Sequence, residues 1–489
     1  MVRTQTDCVP TCTTVRTLPS AGRVWLASGF LLAMVSTAMA DNPSSTISSA
    51  PSPYLLELEE NEEDVFPIIL STEGSQSPSN WTERCDFDSG QLVDNCWNNL
   101  LTRPSLTDGL FGLQAPMAEN GIGYQAYLTQ FYQGVASGGQ EQKFVYGGKV
   151  DQFITLDSKK LGLWEGGILS LHAETRYGQD SNVDAVGLAP VNANMLYPAS
   201  ESVTSITGLT IGQFLSEEWM ISAGTFNQLD LFAQLYPQTG RGVDGFMNMS
   251  AIAPLSLSRP LNLSMLGVGI TKLNEGRVQG SLSVFNTANA ATNSSFNELF
   301  ENGAIILGYY RIFTNFGDLP GSHALLGVYS SGTYTSLDPT TWIILPPIGV
   351  IPGQETGTWS LTYFYEKKLW IDRQNPQRNV DLLTSWGLSD GNPSPVSWAG
   401  NVAIQGTGLN QYRPQDSVGV SYFHTSLSSD FKRLASPVLD LEDINGIELY
   451  YNSAITPWFQ LTPDLQIITP ADRSLNTTIV FGLRGKITL

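Results

Sequence analysis

Three patterns in the sequence have residue types that could carry chemistry. Gly387-Leu-Ser389-Asp-Gly391 has the spacing of a nucleophile elbow, where a serine sits on a sharp strand-to-helix turn. Here Asn392, Pro393 and Pro395 follow, so no helix starts there and the match supplies no nucleophile. Glu217 and Glu218 offer two carboxylates, but strand neighbours point to opposite faces and glycosidase acid pairs normally come from separate segments. His172, His323 and His424 are the only histidines, without HExxH or short ligand spacing, so neither a metal centre nor a cofactor is expected. No glycine-rich phosphate loop precedes a helical pattern. These residues do not point to an enzyme.

The remaining charged residues follow an alternating rule. In the last segment Ile479, Phe481, Leu483 and Ile487 share one parity, while Gly482, Arg484, Lys486 and Thr488 share the other. Side chains of a strand alternate between faces, so two cations stand on one surface with only apolar groups and Gly485 opposite. The same split separates Leu169, Leu171, Ala173, Thr175 and Tyr177 from Ser170, His172, Glu174 and Arg176. It also separates Val278, Leu282 and Val284 from Arg277, Gln279, Ser281 and Ser283, and Trp359, Leu361, Tyr363 and Tyr365 from Ser360, Thr362 and Glu366.

The elements that must position these residues are strands of about ten residues separated by Gly, Asn, Asp and Pro, and they dominate from Gly121 onward. A soluble β-sandwich alternates too. The balance is tipped by Trp164, Trp219, Trp359, Trp370, Trp386 and Trp458 at strand ends, which suit the interfacial girdles of a membrane barrel. Only 14% of residues are charged, low for a soluble chain, and 46 glycines supply turns. The length accommodates roughly 16 strands, the size that leaves an aqueous lumen. The expected fold is therefore an all-β, antiparallel, up-and-down transmembrane barrel with a wet interior, preceded by a short helical or irregular segment at Ser105 to Asn120.

Residues 1–40 read as a cleavable export signal: Arg3, Arg16 and Arg23 precede an apolar run from Val24 to Val35 and the small-residue exit Ala38-Met39-Ala40. Residues 41–104 read as a periplasmic linker rich in Ser, Pro and Glu. Cys85 and Cys96 within it are expected to pair, closing a short loop worth about 3 kcal/mol. Residues 105–489 form the barrel. The net charge of −20 excludes nucleic acid as a partner.

Several blocks resemble the carbohydrate-selective porins of the OprB family. They are Tyr146-Gly-Gly-Lys-Val-Asp151 with Leu156-Asp157, Lys160-Leu-Gly-Leu-Trp164-Glu-Gly-Gly167, and Leu171-His172-Ala-Glu174 to Tyr177-Gly178. Further blocks are Gln213 to Trp219, Gly240-Arg241-Gly242, Phe246-Met-Asn248, Tyr450-Tyr-Asn452, Thr456-Pro-Trp458 to Asp464-Leu-Gln466, and Gly482-Leu-Arg484. The resemblance covers roughly residues 140 to 489. It implies a 16-stranded outer-membrane barrel and passive diffusion of glucose-like sugars, with outer-membrane lipid and the barrel-insertion machinery as partners, as monomer or homo-oligomer. The chain ends in Leu489 where such barrels usually end in an aromatic residue.

By parity and motif the pore-lining candidates are Lys149, Asp151, Asp157, His172, Glu174, Arg176, Arg241, Arg311, Glu366, Arg484 and Lys486. Arg176, Glu174, Asp151 and Arg241 are expected to form the constriction. A nonselective diffusion porin is the nearest alternative, and a secreted all-β protein that binds or cleaves polysaccharide is the next.

Overall fold

The computed structural model describes residues 100–489 except 290, 318 and 346–348. The export signal, nearly all of the linker and Cys85 and Cys96 lie outside the described residues. Sixteen strands close into a barrel. They are β1 (Ile122–Ser137), β2 (Phe144–Asp157), β3 (Gly167–Gly178), β4 (Val203–Phe214), β5 (Trp219–Asn227), β6 (Ser264–Asn274), β7 (Arg277–Asn286) and β8 (Ala304–Phe316). The second half holds β9 (Leu319–Thr335), β10 (Gln354–Ile371), β11 (Asn379–Ser389), β12 (Val396–Thr407), β13 (Ser417–Leu427), β14 (Ile444–Thr456), β15 (Phe459–Thr469) and β16 (Thr478–Thr488). Each pairs antiparallel with the next, and β16 closes on β1 with Leu128 opposite Ile487 and Phe131 opposite Arg484. Closure leaves no free edge, so backbone amides are paired without water, the condition for crossing hydrocarbon. No helix among the described residues is long and apolar enough to span a membrane.

One rim carries short turns, such as 215–218, 275–276 and 457–458, and the other carries long connections, such as 179–202, 228–263 and 428–443. In barrels of this kind the short rim faces the periplasm and the long one the exterior. Trp164, Trp219, Trp370 and Trp458 sit at the short-turn rim and Trp359 and Trp386 toward the other, forming the two girdles expected from sequence. Residues 105–120 form helical turns at Asp108–Phe111 and Gln114–Glu119 on the short-turn rim, tied to the barrel where the Leu106 amide donates to the Thr488 carbonyl.

The alternation holds on β3, β10 and β16, where Leu361, Phe481 and Leu483 lie on the exposed outer wall while Ser170, Glu174, Thr362 and Arg484 are buried inside. It fails at Val278. The β6–β7 register shifts between Lys272 and Leu273, so Gly280 opposes Lys272 while Val278 opposes Leu273. The extra residue of this bulge turns Val278 into the interior, where it is buried.

The interior is the larger departure. Phe285, Leu307, Tyr309, Leu326 and Phe364 all point inward and join one buried apolar cluster. A wall of β7–β10 is apolar on its inner face, a feature the sequence reading did not include, because the chain between β5 and β6 folds back into the barrel and covers it. This insert, residues 228–263, contains α1 (Gln228–Leu235) and α2 (Met249–Ile252). Phe232 meets Phe364 edge-on at 6.0 Å between ring centres, and Tyr236 stacks on Phe364 at 4.9 Å. On the far side Phe246 packs edge-on against Tyr450 at 5.0 Å. Gly419 makes room there, since a Cβ on it would lie 2.4 Å from the Tyr450 ring and 2.9 Å from Phe246.

Candidate functional site

The insert is fastened to strands all round the lumen. Asn248 caps α2, and its backbone amide and that of Met247 donate to the Glu448 carboxylate on β14 at 3.1 and 2.5 Å. Asn248 Nδ2 donates to Gln466 on β15 at 2.9 Å, and Asn401 Nδ2 on β12 donates to the carbonyls of Ser250 and Ala251 at 3.0 and 3.1 Å. On β16 Arg484 donates to the carbonyls of Gly242 and Gly245, both at 2.9 Å, and to the Thr462 hydroxyl at 3.2 Å. The connection 179–202 locks on behind, with the Ala193 amide bonded to Met247 and the Met249 amide to Pro190.

Where the insert meets β2 and β3, six charged groups converge. The Lys149 ammonium bonds Glu174 and stands 3.6 Å from Asp151. His172 lies between two carboxylates, its Nδ1 2.8 Å from Asp230 and its Nε2 3.2 Å from Asp151. The ring satisfies both acceptors only with a hydrogen on each nitrogen, and in that form three cations face three carboxylates. Arg241, from the insert, is 3.3 Å from Asp230 and 4.0 Å from Asp151. Phe153 is held between the two cations, with His172 stacked at 3.9 Å and the Arg241 guanidinium 4.5 Å from its ring centre. The ligand-type atoms of Asp151, His172 and Glu174 fall within 4.8 Å of one another, a spacing that would suit a metal ion. The Lys149 ammonium supplies positive charge to two of them.

Two further charged pairs line the interior. Lys486 bonds Asp244 of the insert and lies 4.4 Å over the Tyr127 ring. Burial works against the Asp244 charge, but Lys486, with Arg241 and Arg484 behind it, holds that carboxyl below its ordinary range. Arg311 on β8 bonds Glu366 on β10, donates from Nε to Ser322 at 2.8 Å, and lies 4.9 Å over the Tyr236 ring.

Of the four residues expected at the constriction, the structure brings together Asp151, Glu174 and Arg241 and separates Arg176. Arg176 turns toward the outer connection, where it bonds Asp180 and the Ala199 carbonyl. It therefore clamps a loop. Asp157 is likewise a turn residue, accepting from the amides of Lys159 and Lys160 at 2.8 and 3.2 Å. Asp230 and Asp244 were not among the candidates. A local signal existed for the first: Asn227 caps α1 by accepting from the amides of Leu229 and Asp230, a pattern that places an acid in the first helical turn.

The chemistry-bearing patterns of the sequence resolve as structure. Ser389 ends β11 and bonds the Val396 carbonyl and Ser394, with loop rather than helix at 390–395. Glu217 and Glu218 lie in the exposed turn after β4 rather than on a strand. His323 bonds Tyr363 at 2.6 Å on the outer wall, and His424 stacks on Trp398 at 4.5 Å.

Loop clamping by Arg176 has a measurable consequence. An Arg176→Ala variant is expected to show faster proteolysis within 179–202 while the barrel strands keep their native resistance. Cleavage there at the native rate would mean that Arg176 does not hold the connection.

The sequence profile described as carbohydrate-selective porin, OprB family, matches residues 141–489. No curated protein sequence is matched. Among solved structures, the high-pH structure of Pseudomonas putida OprB aligns with a TM-score of 0.67 at 16% identity, covering 79% of this chain and 99% of that one. The low-pH structure of the same protein aligns with a TM-score of 0.50 at 14% identity over the same shares. At these identities the likeness speaks for the barrel fold.

Proposed function

Because the chain belongs to the OprB family of carbohydrate-selective porins, we propose that small sugars diffuse through its lumen past a constriction built by the insert against β2 and β3. The protein is a channel of the bacterial outer membrane rather than an enzyme. The observation that carries the constriction is the convergence of Lys149, Asp151, His172, Glu174, Asp230 and Arg241 on one level of the interior, with Phe153 between His172 and Arg241. The buried groups and Phe153 fix the Arg241 guanidinium, whose donors can replace the water bonds of sugar hydroxyls at the edge of the pathway.

Of the six, Arg241 is the most accessible, with 13% of its side chain exposed, so it is the group a passing hydroxyl would meet. Its partners hold it in place. Arg241→Ala is expected to raise single-channel conductance and weaken glucose block, while Arg241→Lys keeps the charge but loses the planar fork and gives an intermediate block. Equal block in all three channels would remove Arg241 from the pathway. Liposome swelling with glucose and with amino acids of similar size separates selectivity from plain sieving: equal rates at matched size would leave a nonselective porin.

A further inference from the structure

Toward the short-turn rim the inner wall changes character. On β10 the buried Phe364 gives way to Glu366 and Lys368, and on β11 the buried Leu383 gives way to Asp381. Arg311 on β8 and Ser322 on β9 complete a polar belt across four neighbouring strands. The pairing holds these residues side by side, with Ser322 opposite Glu366 and Lys368 opposite Asp381. Arg311 bonds Glu366, both share the Ser322 hydroxyl at 2.8 Å, and the Lys368 ammonium lies 2.9 Å from Asp381. The belt stands across the lumen from β2 and β3. It is also nearer the periplasm than the constriction: Asp381 is the third residue of its strand from that rim, whereas Asp151 lies in the middle of β2.

Two properties separate the belt from the constriction. Glu366 has 21% and Lys368 34% of its side chain exposed, against 1% for Lys149 and Glu174, so a solute in the periplasmic mouth can touch these groups. Ion pairs open to water contribute little net stability, and a hydroxyl can enter between the partners at small cost. The second property is the alternation of sign. Two cations and two carboxylates leave no net charge to concentrate an ion of either sign, but they set donors next to acceptors. A vicinal diol presents the same alternation, because each hydroxyl both donates and accepts, and bonds to charged partners are the stronger kind.

We propose that this belt is a second sugar subsite, at the periplasmic mouth, which binds the vicinal hydroxyls of a neutral hexose through Lys368 and Asp381, with Arg311 and Glu366 alongside. This rests on the sugar-porin reading and adds to it a site below the constriction. A sugar that leaves Arg241 then finds fixed partners on its way out.

The test is glucose-induced current noise in single full-length channels. A hexose in the wider mouth obstructs less current than one in the constriction, so the native channel is expected to show two saturable components, one deep and one shallow. Lys368→Met combined with Asp381→Leu removes both charges and leaves neither unpaired. It is expected to weaken the shallow component about tenfold, as loss of two charge-assisted hydrogen bonds net of those to water would give, while the deep component keeps its affinity. Exchanging the charges, Lys368→Asp with Asp381→Lys, keeps a donor beside an acceptor and is expected to restore the shallow component, which a loss caused by mere disturbance of the rim would not do. Hexane-1,6-diol, whose hydroxyls are not vicinal, is expected to give no shallow component in the native channel. A native channel with a single glucose component overturns the subsite and leaves the sugar-porin reading intact. So does a shallow component that survives loss of both charges, or one equally strong with hexane-1,6-diol. A native channel that neither passes nor responds to glucose overturns both.

Discussion

Replacing Lys149 with methionine is expected to cost the folded barrel about 3–5 kcal/mol, the range found when one partner of a buried ion pair is removed. Lys149 is 1% exposed, bonded to Glu174 and next to Asp151, both equally buried. Methionine keeps the stem and its packing but leaves two carboxylates with less compensating charge in a space closed to water. His172 and Arg241 cannot absorb the loss without giving up Asp230, since each already serves that carboxylate as well. The readout is the midpoint of heat-modified migration and of urea unfolding in lipid. Pairing Lys149→Met with Glu174→Gln is expected to recover a large part of the loss, because the charge that the lysine balanced is gone as well. A single variant as stable as the native protein would show that water reaches the cluster and that its burial has been misjudged.

Excising residues 229–262 and bridging the ends with a short glycine-serine turn is expected to raise conductance severalfold and abolish sugar preference. A 16-stranded barrel without internal chain leaves a wide aqueous channel, and this insert is what narrows it. The excision also removes Asp230 and Arg241 from the constriction, and it exposes Phe285, Leu307, Tyr309 and Phe364 to water. Stability therefore falls while the pore widens. A shortened channel of native conductance would mean that the insert does not occupy the conduction path.

How much of this was legible in the sequence depends on which surface a residue meets. Strand β16 declared both faces, because lipid on one side and charged partners on the other impose the cleanest contrast a pleat can carry. The tryptophan girdles were legible for a similar reason, since the bilayer interface selects a residue type at a strand end. Strand β8 hid its inward face: Leu307 and Tyr309 are as apolar as Ile306 and Tyr310 outside, because the inner pair packs on the folded-back chain instead of water. Binary pattern cannot distinguish lipid from protein interior. The Asp230 contact to His172 spans 58 positions and depends on α1 entering the lumen, which no local spacing encodes beyond its helix cap. Arg176 had the right parity and the right neighbours in sequence, yet it stands near the end of β3, where the outer connection begins, and bonds there instead.

The hydrogen bonds from the insert to β12, β14, β15 and β16, with its salt bridge across to β3, tie opposite arcs of the wall together like spokes to a rim. An empty cylinder of sixteen strands is free to flatten into an ellipse when the surrounding lipid presses unevenly. Here, flattening along one diameter stretches or crushes a spoke, so the cross-section stays round and the aperture keeps its width as membrane tension varies.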